Sequence, residues 1–345
     1  MPSGPYFIAE GGVNHNGQMD LARQLVDAAA AAGCDAVKFQ LFDAARVVAR
    51  HAARVPYQGA GSQESLLRDL QLGPDDMAAL AEHARAAGLD FLCTPFDPQS
   101  AAALDAMDLA MFKVSSGDIT NLGLLEALGA FGRPVLLSTG TGTLGQCEAA
   151  IAAIRRGQQA AGQRKGQWQG YLAAGLALMH CVTSYPAPIE QINLRAMATL
   201  ARAFGLAVGY SDHTIGSEAC IGATAMGAVC LEKHLTLDKS LPGPDHAASA
   251  DPGELAELLA AVRRTASALG TGRKEPAECE RPNLAGVRRR LCAARDLPAG
   301  HELALADVVA LRSETGIAAE RIDLAMGRRL RRDVSERTPI AWGDL

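Results

Sequence analysis

Two short apolar runs in the second half of the chain are each followed at once by three polar residues. Leu206–Tyr210 is followed by Ser-Asp-His, and Ala228–Leu231 is followed by Glu-Lys-His. The small-residue segment 217–227 between them suits a helix packed on a sheet, so the stretch predicts a strand–helix–strand unit. Parallel strands joined in this way end on one side, where His213 and His234 could bind one divalent metal ion. The alternative is that each histidine only forms hydrogen bonds at a polar rim.

Lysine and hydroxyl side chains lie in or after other apolar runs. Lys38 and Lys113 lie inside such runs. The hydroxyl groups come from Thr94, Ser116, Ser138, Thr183 and Ser211. Two lysines, several hydroxyls and glycine-flanked amides form a site for a doubly charged anion, phosphate above all. Because a buried lysine is costly unless it is paired, the alternative is a set of structural salt bridges with Glu232 and Asp118.

Two carboxylates, Glu10 and Asp118, are expected at the same rim, where they could act as general acids or bases or assist a metal. Together with the anion site and the two histidines they predict a metal-assisted reaction on a phosphorylated small molecule. The metal would act as a Lewis acid on a carbonyl group. These residues alone leave open a metal-dependent aldolase and a condensation of phosphoenolpyruvate.

The elements that must position these residues are eight short apolar runs, each followed by a helix candidate. The runs are Tyr6–Ala9, Ala36–Phe39, Asp90–Cys93, Met111–Val114, Pro134–Leu137, Leu176–Cys181, Leu206–Tyr210 and Ala228–Leu231. Continuous apolar runs are typical of strands covered on both faces, and polar residues cluster after them. The sequence therefore predicts a (β/α)₈ TIM barrel with its active site at the carboxyl ends of the strands. A doubly wound open sheet is the alternative, although no dinucleotide-binding fingerprint follows the first strand.

The domain organisation follows from changes in composition along the chain. Residues 1–270 form the predicted barrel, whose last helix is Glu254–Leu269. Residues 271–285 are rich in glycine, proline and charge, as an exposed linker should be. Residues 286–345 then form a separate small domain, and its short strand-like pieces predict a compact β-rich fold.

The composition excludes several classes of protein. The chain has 345 residues, of which 48% are hydrophobic and 21% charged, as in a globular protein with a sizeable core. A net charge of -5 gives no electrostatic reason to expect nucleic acid or an anionic membrane as partner. No apolar stretch approaches the roughly 20 residues of a membrane-spanning helix. The first residues lack the basic and apolar regions of a signal peptide, so we expect a cytoplasmic protein.

A series of motifs along the chain resembles the sialic acid synthase family. They are IAEGGVNHNG (8–17), VKFQ (37–40), CTPFD (93–97), FKVSSGDITN (112–121), LLSTGTGTLG (136–145), HCVTSYPAP (180–188), GYSDHT (209–214) and LEKHLTLDKSLPGPDHAAS (231–249). Their order and coverage make the resemblance specific. It implies a barrel followed by an antifreeze-like (SAF) domain. It also implies an enzyme that joins phosphoenolpyruvate to an N-acylated mannosamine-type sugar, which gives a nine-carbon α-keto acid and phosphate.

The resemblance also implies roles for the residues identified above. His213 and His234 would hold Mn²⁺, Mg²⁺ or Co²⁺, and Glu10 would handle the attacking water. The positions that match phosphoenolpyruvate-binding residues are Lys38, Thr94, Lys113, Ser116, Ser138 and Ser211. Thr183 stands where some members of the family have asparagine, and Asp118 stands where bacterial members often have glutamate.

At the sugar end the resemblance implies contacts from Gln40, Tyr185 and Asp245. Arg312 resembles the single arginine that the small domain contributes to the site. The family resemblance further implies a two-fold dimer with exchanged small domains, in which Arg312 would reach the partner subunit's barrel. The alternative for Arg312 is a surface ion pair with Glu314.

The acceptor sugar is the point at which the alternatives separate. We expect N-acetylneuraminate as the product. The same reaction on a 2,4-diacetamido sugar, giving N,N'-diacetyllegionaminate, is the closest alternative, because the VNHNG turn and the stretch 57–67 are also similar to that subgroup. A non-catalytic carbohydrate- or ice-binding protein is the alternative from another class.

Overall fold

The computed structural model describes residues 4–55, 58, 61–161, 172 and 174–345. The chain divides into two compact units, Met1–Gly270 and Thr271–Leu345. Residues 57, 59 and 60 of the stretch 57–67 lie outside the described residues. No helix in the described part of the chain combines the length and the apolar character needed to cross a membrane.

The first unit is a closed barrel of eight parallel strands. They are β1 (Tyr6–Gly12), β2 (Ala36–Leu41), β3 (Asp90–Pro95), β4 (Phe112–Val114), β5 (Val135–Ser138), β6 (Leu176–Cys181), β7 (Val208–Asp212) and β8 (Cys230–His234). Each strand pairs with the next, and β8 closes the barrel by pairing with β1 from Tyr6↔Cys230 to Glu10↔His234. The predicted (β/α)₈ barrel is confirmed, and the open doubly wound sheet is wrong.

Helices connect successive strands of the barrel along the chain. They are α1 (Met19–Ala32), α2 (Ala44–Val47), α3 (Gln63–Leu70), α4 (Pro74–Ala86), α5 (Pro98–Ala106), α6 (Leu122–Ala130), α7 (Leu144–Ala161), α8 (Arg195–Phe204), α9 (Glu218–Ala225) and α10 (Pro252–Leu269). The start of α10 is fixed by its sequence. Asp251 caps the backbone N–H of Glu254, Glu254 caps that of Asp251, and Pro252 occupies the first turn.

Alternation along the strands separates an apolar layer from a polar layer inside the barrel. The buried apolar residues that fill its interior include Ile8, Ala36, Leu92, Met111, Leu136, Ala177, Met179 and Cys230. Side chains of a strand alternate between its two faces, so the next inward position follows two residues later. Those positions carry Glu10, Lys38, Thr94, Lys113, Ser138, Cys181 and Glu232. The barrel wall therefore turns from apolar to polar at the carboxyl ends of its strands.

The second unit has its own small core. Its only two-stranded sheet among the described residues pairs β9 (Arg289–Ala293) with β10 (Val308–Arg312) in antiparallel fashion. Two short helices, α11 (Leu284–Val287) and α12 (Ile322–Ala325), accompany it. The buried core residues include Leu291, Leu297, Leu303, Ile317, Leu330, Val334 and Ile340. Isolated bridges such as Leu297↔Val334 hold the irregular segments together, and the predicted small fold of short elements is confirmed.

Candidate active site

A cavity lies at the carboxyl ends of the barrel strands and contains most of the residues identified from the sequence. The predicted site residues that line it are Glu10, Lys38, Gln40, Thr94, Lys113, Ser116, Ser138, Thr183, Tyr185, Ser211, His213 and His234. Four further residues line it: Phe96, Ser115, Cys181 and Glu232. Asp118 and Asp245 are not among the described lining residues, and Arg312 lies in the second unit.

A larger cavity, with a volume of about 450 Å³, lies between the loop after β7 and helix α10. The lysines that border it are already neutralised. Lys239 Nζ lies 2.8 Å from Glu254 Oε1, and Lys233 Nζ lies 2.7 Å from Asp212 Oδ2. None of the residues predicted for the site lines this cavity, whereas twelve of them line the smaller one, so we assign the chemistry to the smaller cavity.

Two buried lysines and two buried glutamates form the charged centre of the site. Lys38 Nζ lies 2.5 Å from Glu10 Oε2, and Lys113 Nζ lies 3.1 Å from Glu232 Oε1. Lys38 also approaches Glu232, with 3.8 Å between Nζ and Oε2. Ser211 Oγ donates a hydrogen bond to Glu232 Oε1 over 2.8 Å. Both lysines therefore have carboxylate partners, and Glu232 is the one anticipated among the salt-bridge alternatives.

The environment of these groups separates the pKa values of the two glutamates. Burial alone would raise the pKa of Glu232, but Lys113 and Lys38 outweigh it and lower this pKa to about 2. Burial raises the pKa of Glu10, and Lys38 offsets this only in part. Glu232 is therefore a fixed anion, whereas Glu10 is the better proton acceptor of the two.

The hydroxyl side of the cavity depends on a close approach by Gly140. Its backbone N–H donates to Ser116 Oγ over 3.1 Å, and Ser116 Oγ also contacts Cys181 Sγ at 3.0 Å. A Cβ at position 140 would clash with Thr183 Oγ1 and would lie 2.7 Å from Ser116 Oγ and 2.9 Å from Cys181 Sγ. Only glycine therefore leaves these side chains in place.

The two histidines meet under the ring of Tyr185. The ring centres of His213 and His234 lie 5.4 Å apart, and the ring centre of Tyr185 lies 4.2 Å from that of His213. His213 Nδ1 donates to the carbonyl oxygen of Val182 over 2.7 Å, which leaves Nε2 as the acceptor nitrogen. Burial lowers the pKa of His213, and burial together with His213 and Lys38 holds the pKa of His234 well below its ordinary value. Both imidazoles are therefore neutral.

These properties are those of metal-binding histidines. His234 Nδ1 is buried without a hydrogen-bond partner among the described residues, so no hydrogen bond at this atom fixes the tautomer, and the neutral ring has one nitrogen lone pair to offer a metal. The backbone bond to His213 Nδ1 resembles the outer contacts that orient metal-bound imidazoles. In the described part of the chain, no three His, Cys, Asp or Glu side chains form a metal cage. The residues therefore fit a divalent ion that takes its remaining ligands from water and substrate.

Buried polar atoms without hydrogen bonds concentrate in this cavity. Among the described residues, Glu10 Oε2, Glu232 Oε2 and His234 Nδ1 are three of the five side-chain atoms of this kind. Glu10 Oε2 has the charge of Lys38 beside it but no aligned hydrogen bond. Buried polar groups are normally hydrogen-bonded, so this concentration indicates a place where a ligand or water supplies the missing hydrogen bonds.

Asp245 lies beside the histidine pair, although it does not line the cavity. Its Oδ2 is 3.7 Å from His234 Nδ1. Burial, together with Glu10, raises the pKa of Asp245 to about 7. Because His234 is neutral, this contact is not an ion pair. Asn14 holds the segment around Asp245: its Nδ2 donates to the carbonyl of Leu235 and to Ser249 Oγ, each over 2.8 Å.

Asp118 does not line the cavity, and Arg312 belongs to the second unit. Asp118 is half-buried, and its Oδ1 accepts a hydrogen bond from Asn121 Nδ2 over 3.2 Å. Burial raises the pKa of Asp118. Arg312 is an exposed residue at the end of β10, and the structure contains no ion pair between it and Glu314. The catalytic roles of Asp118 and Arg312 stay predictions.

The sequence analysis missed two kinds of residue at this site. Glu232 was considered only as a structural partner, although it contacts Lys113, Lys38 and Ser211. Its place two residues before His234 is the sequence signal that could have identified it, because both side chains then face the barrel interior. Gly140 lies in the glycine-rich sequence STGTG, which could have indicated a point where the backbone comes close to neighbouring side chains. Nothing local signals that Asn14 reaches Ser249.

The fold and the site define a barrel enzyme of a known family. The chain matches the NeuB family over residues 25–274 and the SAF domain over residues 288–345. It therefore belongs to the NeuB family of nonulosonic acid synthases, and the family predicted from the motifs is confirmed.

Individual relatives are similar over almost the whole chain. The chain is 40% identical to the N,N'-diacetyllegionaminic acid synthase of Legionella pneumophila, over 98% of this chain and 93% of that protein. It is 38% identical to the protein of the same name from Campylobacter jejuni, over 93% and 94%. Among solved structures it is similar to an N-acetylneuraminic acid synthetase from Leptospira borgpetersenii. That likeness has a TM-score of 0.71 and 32% identity, and covers 82% of this chain and 91% of the other.

Proposed function

We propose that this protein condenses phosphoenolpyruvate with an N-acylated amino sugar to give a nonulosonic acid and phosphate. One observation carries the proposal: two buried lysines, several hydroxyls and two neutral histidines converge at one end of a NeuB-family barrel. An anion site beside a pair of metal-binding imidazoles suits a phosphorylated substrate and a carbonyl acceptor. The proposal places the reaction in the cytoplasm, where phosphoenolpyruvate is formed.

Phosphoenolpyruvate would bind along the lysine and hydroxyl side of the cavity. Lys38 and Lys113 each have an ammonium group with more donors than their carboxylate partners use, so both can also face phosphate or carboxylate oxygens. The hydroxyl donors beside them are Thr94, Ser116, Ser138 and Thr183, whereas the Ser211 hydroxyl already donates to Glu232. Fixed donors of this kind stabilise anionic charge without reorganising during the reaction.

The acceptor sugar would bind at the histidine side. His213 and His234 would hold a divalent ion, which supplies Lewis-acid polarisation of the C1 aldehyde of the sugar. Tyr185 and Gln40 line this part of the cavity, and Gln40 Nε2 donates to Glu10 Oε1 over 3.0 Å. These contacts would orient the aldehyde toward C3 of phosphoenolpyruvate.

The bonds change in an order that the residues can support. A new carbon–carbon bond forms between C3 of phosphoenolpyruvate and C1 of the sugar, and the aldehyde oxygen takes up a proton. Positive charge develops at C2, where water adds while Glu10 accepts its proton. The resulting tetrahedral intermediate loses phosphate, which leaves with the bridging oxygen and takes the proton of the C2 hydroxyl, and C2 becomes the ketone. Lys38 and Lys113 stabilise the departing phosphate.

For the acceptor, the relatives favour a 2,4-diacetamido-2,4,6-trideoxymannose, whose product is N,N'-diacetyllegionaminate. The two relatives named above from Legionella and Campylobacter carry that name and align over more than nine tenths of this chain. Phe96 is a further argument, because its apolar ring lines the cavity and suits the methyl groups of such a sugar. N-acetylmannosamine, which gives N-acetylneuraminate, is the second candidate on the strength of the Leptospira likeness.

Phosphate release in the presence of phosphoenolpyruvate and a panel of sugars tests the proposal. The panel contains the diacetamido sugar, N-acetylmannosamine and its 6-phosphate, and the Lys38→Ala variant is the control. We expect the highest kcat/KM with the diacetamido sugar. A higher kcat/KM with N-acetylmannosamine would reverse the order of the acceptors. If none of the sugars in the panel leads to phosphate release, the result would favour the non-catalytic carbohydrate-binding alternative.

We also propose a two-fold dimer with exchanged small domains, in which each site receives Arg312 of the partner subunit. Exposed aliphatic side chains follow four successive strands on the active-site rim, as an interface there would require. They are Leu122, Leu144, Ile189 and Ile215. An arginine arriving from the partner could bind the sugar end and help exclude water.

Complementation between two inactive variants tests the exchange. Arg312→Ala leaves the barrel intact, and Lys38→Ala leaves the small domain intact. Co-expressed with different tags, they should form mixed dimers in which one site receives both intact parts. With random pairing, roughly a quarter of all sites would be wild type. Mixed dimers without any recovery of activity would place Arg312 in its own subunit's site or outside catalysis.

A further inference from the structure

A buried ion pair lies directly behind the two histidines. Lys233 Nζ donates to Asp212 Oδ2 over 2.7 Å, and the two side chains are only 3% and 0% exposed. The residues are register partners on β8 and β7, and each immediately precedes a histidine. Because side chains alternate along a strand, this pair lies on the outer face of the barrel wall while His213 and His234 face inward.

The hydrogen bonds of the pair hold the chain on both sides of His213. Lys233 Nζ also donates to the carbonyl oxygens of Thr214 and Gly216. Asp212 Oδ1 accepts from the backbone N–H of Thr214 over 2.9 Å and from its Oγ1 over 2.8 Å. The residue before His213 and the three residues after it are therefore fastened to the strand that carries His234.

Stability alone does not explain a pair of this kind. Removing two charges from water costs several kcal/mol for each ion, and apolar residues of similar size often replace a buried pair without loss. Neither side chain lines the cavity that contains the histidines. Lys233 instead borders the larger cavity of about 450 Å³ outside the barrel. Asp212 and Lys233 must therefore act through the backbone of their neighbours.

We propose that Asp212 and Lys233 are positioning residues, which fix the spacing and direction of His213 and His234 for a divalent ion. This inference rests on the metal site of the proposed function. The pair fixes the relative register of the two strand ends, while the bond from His213 Nδ1 to the carbonyl of Val182 fixes one ring. Contacts that orient metal ligands typically contribute 10- to 100-fold to metal affinity.

The decisive variant replaces both charges by apolar residues of similar volume, Asp212→Leu with Lys233→Met. Mn²⁺ affinity is measured on the full-length protein by a titration that follows the electron paramagnetic resonance signal of free Mn²⁺. Bound Co²⁺ is followed by its visible absorption. Thermal unfolding is recorded in parallel. We expect a folded variant whose Mn²⁺ affinity falls by about 10-fold or more and whose Co²⁺ spectrum changes. At saturating Mn²⁺ the KM for phosphoenolpyruvate should stay near that of the wild type, because Lys38 and Lys113 are untouched.

Two further variants keep the test decisive. Asp212→Glu retains the ion pair but lengthens one partner, so we expect it to fold and to bind Mn²⁺ more weakly than the wild type does. If the double variant does not fold, this variant tests the positioning role. Lys239→Met is the matched control, because it breaks another lysine–carboxylate pair at the same outer cavity, and its Mn²⁺ affinity should not change.

The outcomes separate this inference from the function on which it rests. Mn²⁺ affinity equal to the wild type in the folded double variant, or in Asp212→Glu if the double variant does not fold, would overturn the positioning role and leave the metal site intact. A wild-type protein that binds no Mn²⁺ would overturn the metal site and the positioning role together.

Discussion

The close approach of Gly140 to the hydroxyl side of the cavity makes Gly140→Ala a sharp test of the anion site. The new methyl group would lie 2.7 Å from Ser116 Oγ and 2.9 Å from Cys181 Sγ, and both of these side chains are buried. The backbone at position 140 does not require a positive φ, so alanine is excluded by contact and not by conformation. The substitution therefore acts on the side chains that would hold phosphoenolpyruvate.

The magnitude follows from what must move. Thr183 is exposed and can rotate away, whereas Ser116 cannot move without losing the bond from the Gly140 N–H. Overpacking of this kind lowers the stability of the fold by about 1–3 kcal/mol, and the hydrogen bond that a displaced Ser116 would no longer give to a charged phosphate is worth about 1.5–3 kcal/mol of binding. Each 1.4 kcal/mol corresponds to a factor of about ten in binding. We therefore expect the KM for phosphoenolpyruvate to rise about 10-fold or more, with a smaller change in the KM for the sugar.

Steady-state kinetics against both substrates measures this effect. Gly145→Ala is the matched control, because no described atom outside its own helix backbone and its chain neighbours lies within 4 Å of the added methyl group. A second comparison adds Gly140→Ala to Ser116→Gly, which removes the hydroxyl in the way. If the clash acts through Ser116, Gly140→Ala should raise the KM for phosphoenolpyruvate less in the Ser116→Gly variant than in the wild type. An unchanged KM for phosphoenolpyruvate in Gly140→Ala would refute the assignment of this side to the anion.

Three further outcomes are expected. EDTA should abolish activity and Mn²⁺, Mg²⁺ or Co²⁺ should restore it; full activity of metal-free protein or of His213→Ala would contradict the metal assignment. Phosphoenolpyruvate labelled with ¹⁸O in its bridging oxygen should release labelled phosphate, whereas label kept in the keto acid would mean attack at phosphorus. In the second unit, hydrogen bonds from His301, the Ala304 N–H and Arg295 lower the pKa of Asp307, so its stabilising effect is present above the unfolded pKa of about 3.9 and lost as the pH falls below it. Thermal unfolding of Asp307→Asn should accordingly depend less on pH in this acid range than that of the wild type.

The sequence identified the strands well because each contains a run of buried apolar residues. It ended several of them too early, since the prediction stopped at Tyr210 and Leu231 whereas β7 and β8 continue to Asp212 and His234. The reason is physical. The polar residues at these strand ends still pair with the neighbouring strands, but their side chains point into the site or form an ion pair. In the sequence, polar residues of this kind are typical of a loop, so the predicted strands ended before them.

The convergence of the site residues was predictable, but their partners were not. Topology places the carboxyl ends of all eight strands on one side, so the sequence order was enough to gather them. The pairing of Lys113 with Glu232 depends on the closed barrel, in which residues 119 positions apart in the chain come into contact. The bond from Asn14 to Ser249 spans 235 positions. By contrast, the bond between Asp118 and Asn121 is local, and the spacing of three residues could have indicated it.

The charge balance of the site explains why an anion site contains two glutamates. In the free protein Glu10 and Glu232 oppose Lys38 and Lys113, which lowers the cost of burying two ammonium groups side by side. Phosphoenolpyruvate would then add roughly three negative charges to a site without a positive excess. A divalent ion on His213 and His234 would compensate most of this charge, so ion and substrate should bind cooperatively. We expect Mn²⁺ to tighten phosphoenolpyruvate binding and phosphoenolpyruvate to tighten Mn²⁺ binding by the same factor, which calorimetric titrations in both orders would measure. Equal affinities with and without the other ligand would mean that the lysines alone compensate the negative charge of the substrate. The charge balance described here would then not explain the two glutamates.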